Sequence, residues 1–483
     1  MSTAVKTKNK SVAFWINTAI TIGLMAFFQY LPPFGDVTPM GMKVLGVFLG
    51  MLWGWITIEM IWPSIIGLVF FGLSGYTTVS GVFGTCLDSQ VMQAFMCFLV
   101  AALFDVFGVT TYLASKVMSN KLVIGRPWMM ALFIYLAVAV ISILSSTTAA
   151  IFVMWAVTMK VGETVGCEKN DKFIGFIIAG IVYVGFNTSM ILPFKATTVT
   201  YMSFISGTMD ISIPFVPYII VLTLINIAIL ALWMLFGRFV LRLDVSKFTG
   251  DTDHFAYMRG TKATKNQKIG LVFIAIFIIA LMLPSLSPQA WGVTQGLTNL
   301  GLIGVIAVLI VIGAMLKDEE GKPIAPISKL MGGVGWDIIW LLAATFPVAA
   351  AMRSEDCGIM LTVNAVVRPL VSDMEPTMLI IASVIILGIV TQFTHNVVLA
   401  AMFIPFICPL VAELGGDPIV AWLCIYLALQ AAYATPAGSM PAAFVFGHES
   451  MKQGKMGYVY GISMFVIMAI VIIAFIPIEN MLL

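Results

Sequence analysis

Four polar clusters interrupt an otherwise apolar chain, and their residue types suit the capture of a small anion. The first, SSTTAA, brings hydroxyls at Ser145, Ser146 and Thr147. The second lies within FNTSMILPFKATTVTYM, where Lys195 is followed by Thr197 and Thr198. TQFTHN contributes Thr394, His395 and Asn396, and AAYATPAGSMPAAFVFG contributes Ser439 and Pro441. Hydroxyls, main-chain N–H groups at helix starts and one or two cations can together hold a carboxylate or a comparable anion. That is the chemistry of binding and release.

Bond-breaking chemistry needs other signals. His254, His395 and His448 fall in separate elements, and there is no HExxH and no phosphate-binding glycine loop. The six cysteines (Cys86, Cys97, Cys167, Cys357, Cys408, Cys424) form no CxxC and have no histidine nearby, so neither a disulfide framework nor a metal site is implied. The chain is therefore expected to be no enzyme and to carry no cofactor. A net charge of +2 gives no reason to expect a nucleic-acid partner.

The elements that must position these clusters are membrane helices. Of 483 residues, 60% are hydrophobic and 10% charged, with mean hydropathy +1.05, whereas soluble domains carry about 25% charged residues. Apolar runs of spanning length are read at 12–31, 40–59, 61–76, 89–115, 174–205, 214–240, 268–285, 297–316, 334–352, 419–447 and 457–480. The stretches 127–165 and 370–412 each carry a polar cluster in the middle. Polar backbone at membrane depth is tolerated only inside protein or against a cavity, so both read as re-entrant helical hairpins. The basic start of the chain leads into an apolar run too long for a signal core, and is read as a retained first helix.

Lys and Arg in short loops give orientation. Lys6, Lys8, Lys10, Lys116, Lys121, Arg126, the 241–268 connection, the 317–329 loop, Lys452 and Lys455 fall on one side. Asp36, Asp210, Glu413 and Asp417 fall on the other, with Lys43, Arg353 and Arg368 as exceptions. The amino terminus is expected in the cytoplasm and the carboxyl terminus outside, in a multi-pass plasma-membrane protein. Helix pair, helix, hairpin and interrupted helix occur once before the 241–268 linker and once after it, inverted. Such inverted repeats with broken helices are the architecture of secondary transporters. A channel would want a continuous polar pore, which is absent. A cation/proton antiporter would want an acidic residue in the broken helices, and neither has one.

The run VLGVFLGMLWGWITIEMIWPSIIGLVFFGLSG, with Trp55, Ile56, Thr57, Glu59 and Pro63, resembles the signature of the divalent anion/sodium symporter family. The similarity extends to AFMCFLVAALFDVFGVTTYLASKVM, GIVYVGFNTSMILPF, WDIIWLLAATFPVAAAM and AAFVFGHE. The resemblance implies an all-α polytopic fold of about eleven transmembrane helices plus two re-entrant hairpins in an inverted repeat, divided into scaffold and elevator-type transport parts. It also implies a homodimer in the bilayer carrying di- or tricarboxylates. The divisions expected are 1–126 (scaffold), 127–212 (first hairpin and broken helix), 213–352 (scaffold with linker), 353–450 (second hairpin and broken helix) and 451–483 (final helix).

The family's functional motifs are altered here. Its Ser-Asn-Thr triplets align with Ser145, Ser146 and Thr147 and with His395, Asn396 and Val397. The glycine of its first Gly-Thr/Ser-Pro-Pro-Asn loop aligns with Lys195, followed by Ala196, Thr197, Thr198 and Val199. The second loop aligns with Ser439, Met440, Pro441 and Ala442. Sodium beside the anion supplies positive charge in the family. Lys195 in that place would supply it covalently, unless it snorkels or pairs with a buried carboxylate. No Asp or Glu lies near it in sequence. His395 could hold an anion or titrate near neutral pH. Lys195 and His395 are thus the expected coupling residues, in sodium-independent exchange or proton-linked transport. A sodium-coupled symporter, with sodium near Thr394 and Asn396, and a sulfate or sulfonate carrier are the alternatives. Glu59, Asp105 and Asp337 read as structural or solvated.

Overall fold

The computed structural model describes residues 12–483 apart from 119, 169–170, 250–261, 288–290, 318–320, 360, 363–364, 366–368, 370, 372–373, 437–438 and 452–454. Lys6, Lys8, Lys10, Arg259, Arg368 and Lys452, on which the expected orientation partly rests, lie outside those residues, as do His254, Ala437 and Gly438. Among the described residues the fold is helical, with a lone bridge between Lys317 and Pro323.

Up to Val240 the helices are α1 (Val12–Phe27), α2 (Pro39–Thr57), α3 (Ile61–Leu73), α4 (Val79–Thr85), α5 (Ser89–Val106), α6 (Val109–Met118), α7 (Pro127–Leu144), α8 (Thr147–Thr164), α9 (Lys172–Ser189), α10 (Ala196–Met209) and α11 (Phe215–Leu235), the last running into a π turn over Phe236–Val240. From Lys265 onward come α12 (Lys265–Leu286), α13 (Gly292–Met315), α14 (Ile327–Met331), α15 (Trp336–Arg353), α16 (Pro376–Val390), α17 (Asn396–Glu413), α18 (Pro418–Gln430), α19 (Met440–Gly447) and α20 (Met456–Leu482).

Eleven of the described helices are long and apolar enough to cross a membrane. The count equals the one read from the sequence, but the membership differs. The hairpin arms α7 and α17 qualify at 18 residues each, while α3 and α18 stop at 13. The helix expected over 89–115 is also divided, because Gly108 adopts φ +65 between α5 and α6, a backbone state that glycine enters without steric cost. Gly301 (φ 57, ψ −172) likewise kinks α13.

The local chemistry explains the interruptions. At the end of α9 the hydroxyls of Thr188 and Ser189 donate back to the carbonyls of Val184 (2.6 Å) and Phe186 (2.7 Å), a competition that weakens helices. Pro193 then lacks the N–H needed to continue. In the second half, Pro436 follows the end of α18, and α19 restarts at Met440 with a proline in its first turn and Ser439 accepting from the Ala442 N–H at 3.2 Å.

The two halves share the same grammar. Pro127 opens α7 and Pro376 opens α16, both in the first helical turn. Asp171 caps α9 by accepting from Phe173 and Ile174, and Asp417 caps α18 by accepting from Ile419 and Val420. Each half thus contains a two-helix hairpin followed by a capped helix that breaks and restarts.

The chain divides into two compact units. One comprises the residues up to Met92 with Gly335–Met374; there Trp55 Nε1 donates to Ser64 Oγ at 2.9 Å, joining α2 to α3. The other comprises Gln93–Val334 with Glu375–Leu483 and holds both hairpins and both broken helices.

Candidate functional site

Helix α7 ends at Ser145, and Ser146 starts α8 by accepting from the Ala149 N–H at 3.3 Å. The first hairpin tip is therefore the carbonyl end of one helix beside the N–H end of another. Lys195 stands at the start of α10, where its own side chain caps nothing. Its ammonium reaches across the break and donates to the main-chain carbonyl of Ser145. A cation at a helix carbonyl end is electrostatically favourable, and a carbonyl oxygen is also what a soluble sodium would seek there.

The surroundings of the ammonium are apolar on one side. Phe104, Leu144, Leu192, Phe194 and Phe277 line a small cavity along the lysine stem. On the other side stands Asp105, near the end of α5, which is its electrostatic partner. Ser145 Oγ lies 3.4 Å from Asp105 Oδ1 and 3.2 Å from Thr110 Oγ1. Ser145 is buried and Asp105 is exposed. Lys195 thus has a carboxylate neighbour, supplied by α5, where sequence distance gave no hint of one.

The second tip is built differently. His395 starts α17, and its Nδ1 accepts from the Val397 N–H at 3.3 Å. The link between tip and break is Gln392. Its amide nitrogen donates to Gly388 (2.8 Å) and Ala431 (2.9 Å), and its amide oxygen accepts from the Ala434 N–H at 2.8 Å. Thr435 donates to the Gln392 carbonyl, and Thr391 donates to Leu429 at 3.0 Å. Each hairpin tip is tied to the break of its own half, by a cation in the first and by a neutral amide in the second.

The halves also interlock. Helix α10 packs on α17, while Phe444 of α19 meets Phe152 and Trp155 of α8 with ring centres 5.6 and 6.2 Å apart. Tyr433 OH donates to Asn187 Oδ1 at 2.8 Å, joining the two breaks, and Trp422 Nε1 donates to the Tyr201 carbonyl at 2.9 Å.

The expected site residues are therefore distributed as follows. Ser145, Ser146 and Lys195 meet at one point, joined by Asp105 and Thr110. Thr147 opens α8 and is partly buried. Thr197 is exposed, whereas Thr198 is fully buried with its hydroxyl 3.0 Å from Tyr426 OH. Thr394, His395 and Asn396 form the second tip, where Thr394 Oγ1 is buried without a hydrogen-bond partner among the described residues. Ser439 donates to the Ala432 carbonyl and starts α19, with Pro441 buried behind it. Sequence reading passed over Gln392, although TQFTHN displayed it, and set Asp105 aside as structural.

No family model matches the chain. It is 22% identical over 446 residues to an uncharacterized transporter of Haemophilus influenzae, covering 90% of this chain and 91% of that one. Over 127 residues, 26% of this chain, it is 28% identical to the sodium-dependent high-affinity dicarboxylate transporter 3 of Caenorhabditis elegans, of whose length it spans 22%. Over 137 residues, 28% of this chain, it is also 24% identical to the human Na(+)/dicarboxylate cotransporter 3, of whose length it spans 22%. Among solved structures, the YdaH transporter of Alcanivorax borkumensis aligns with TM-score 0.56 at 14% identity, over 83% of this chain and 87% of that one. MtrF of Neisseria gonorrhoeae aligns with TM-score 0.58 at 12% identity, over 84% and 83%. These likenesses establish a transporter fold.

Proposed function

We propose that the chain is a secondary carrier of small organic anions, di- or tricarboxylates, and not an enzyme. It works by sodium-independent exchange or by proton-linked transport. The observation that carries this reading is the Lys195 ammonium seated on the Ser145 carbonyl at the first hairpin tip. The same lysine stands two positions before exposed Thr197, at the first turn of α10, which has no side-chain cap. Uncapped N–H groups, hydroxyls and a cation together suit a carboxylate. The relatives named for dicarboxylates support the substrate class. In this reading the hairpins and broken helices shift as one body past the remaining helices, in a plasma-membrane homodimer with a cytoplasmic amino terminus, and no cofactor takes part.

A second reading, sodium-coupled symport, is favoured by one feature. Among the described residues the buried Thr394 Oγ1, next to Asn396, has no hydrogen-bond partner, and a hydroxyl oxygen in that position suits a hard cation. Uptake into proteoliposomes of labelled succinate, citrate, sulfate and a sulfonate, with and without a sodium gradient, separates the readings. The carrier reading expects uptake of a carboxylate without sodium. Uptake of none of the four would contradict it.

A further inference from the structure

The first hairpin tip has a charge balance that the exchange of sodium for lysine leaves unexplained. Lys195 contributes one positive charge, and Asp105 contributes one negative charge when ionised, so the tip sums to zero. An entering carboxylate would meet the exposed carboxylate of Asp105 as a like charge, which is repulsive at close range. Protonation removes that repulsion, turns Asp105 into a hydrogen-bond donor, and leaves the field of the Lys195 ammonium uncompensated for the substrate.

The neighbours of Asp105 permit this. From the hairpin tip comes the hydroxyl of Ser145, long at 3.4 Å, with Ser146 next to it in the chain. α6 brings Thr110, which reaches Ser145 rather than the carboxylate. α12 packs against the same end of α5 through the Phe104–Phe277 and Phe107–Phe273 ring pairs, and Leu103 meets α13 near Gly313. Among the described residues, Lys195 is the charged group that acts on it. Hydroxyls can accept from a protonated carboxyl as readily as they donate to a carboxylate, so the same partners serve both states. His395, the other candidate at the tips, has Nδ1 engaged as a helix cap.

We propose that Asp105 is the proton-binding coupling group of this carrier, taking up one proton with each anion that engages Lys195. The proposal rests on the carrier reading above and gives it a driving ion. By linkage, uptake of one proton with the anion makes apparent affinity fall by about tenfold per pH unit once pH exceeds the titration of Asp105 in the anion-free protein. Affinity is full on the acid side and is lost as pH rises.

The test is sodium-free counterflow and net uptake of labelled succinate, citrate or sulfate by the full chain in proteoliposomes, stepped from acid to alkaline pH. In the wild type KM rises along the alkaline limb with a slope approaching one decade per pH unit, and a proton gradient directed inward drives accumulation. In Asp105→Asn the alkaline limb is flat and the gradient no longer drives accumulation, whereas Asp105→Glu restores both. Asp105→Ser carries the same comparison if the asparagine variant does not fold. A wild-type KM that is flat in pH while exchange proceeds overturns the proposal, as does an Asp105→Asn protein that keeps the wild-type slope. Absence of wild-type exchange for every anion overturns the carrier reading itself, so the two failures are distinct.

Discussion

An ammonium at membrane depth costs about 3 kcal/mol on insertion scales, and the Ser145 carbonyl with Asp105 offsets that cost here. Lys195→Met removes the charged donor that the proposed anion engages, an interaction of about 1.5–3 kcal/mol, so the expected outcome is a rise of about 10- to 100-fold in KM for the transported anion. Lys195→Arg keeps the charge but must fit a wider head against Phe194 and Phe277, and is expected to fall between, in the same uptake assay. At the second tip, Thr394→Val replaces an unpartnered buried hydroxyl by a group of similar shape. Stability without ligand is expected to change by less than about 1 kcal/mol, while the thermal shift on adding substrate should shrink. How far the site was legible follows from sequence separation. Ser145, Ser146, Lys195, Thr394 and His395 stood out as polar residues in apolar runs, which is a local signal. Asp105 lies 90 positions from Lys195 and its role arises only where α5 meets the hairpin tip, which no local pattern encodes.

At the scale of elements, the breaks matter more than the spans. Both hairpins and both interruptions were legible, because Pro, Ser and Thr in a membrane helix compete with its main-chain hydrogen bonds. The lengths were less so: 61–76 and 419–447 each read as one span by hydropathy, yet α3 and α18 stop at 13 residues. Hydropathy counts apolar residues and does not see where the helix stops. The second break is held by Gln392 and by α20, whose Gly461 lies so close to Tyr433 that a Cβ would sit 2.1 Å from its carbonyl oxygen. Gly461→Ala is therefore expected to lower stability by about 1–3 kcal/mol through overpacking. Tyr433→Phe leaves Asn187 Oδ1 without its donor at 2.8 Å and is expected to cost about 1–3 kcal/mol. Thermal unfolding in detergent checks both, and an unshifted Gly461→Ala midpoint would argue against the close approach.

At the scale of the molecule, one compact unit contains both tips and both breaks, and α10 on α17 and α19 on α8 exchange partners between the halves. That interlocking suits a body that moves as one piece. The charge asymmetry of the loops predicts its orientation. In a background without native cysteines, Ser246→Cys should react with an impermeant maleimide only from the cytoplasmic side, and Glu413→Cys only from outside. The reverse pattern would invert the topology. In the proposed carrier a covalent ammonium at the first tip replaces a bound sodium, and sodium-free counterflow of a labelled dicarboxylate in proteoliposomes is the direct measurement of that replacement. At substrate near the wild-type KM, counterflow is expected to proceed in the wild type without sodium and to collapse in Lys195→Met. Strict sodium dependence in the wild type, or unchanged counterflow in Lys195→Met, would contradict it.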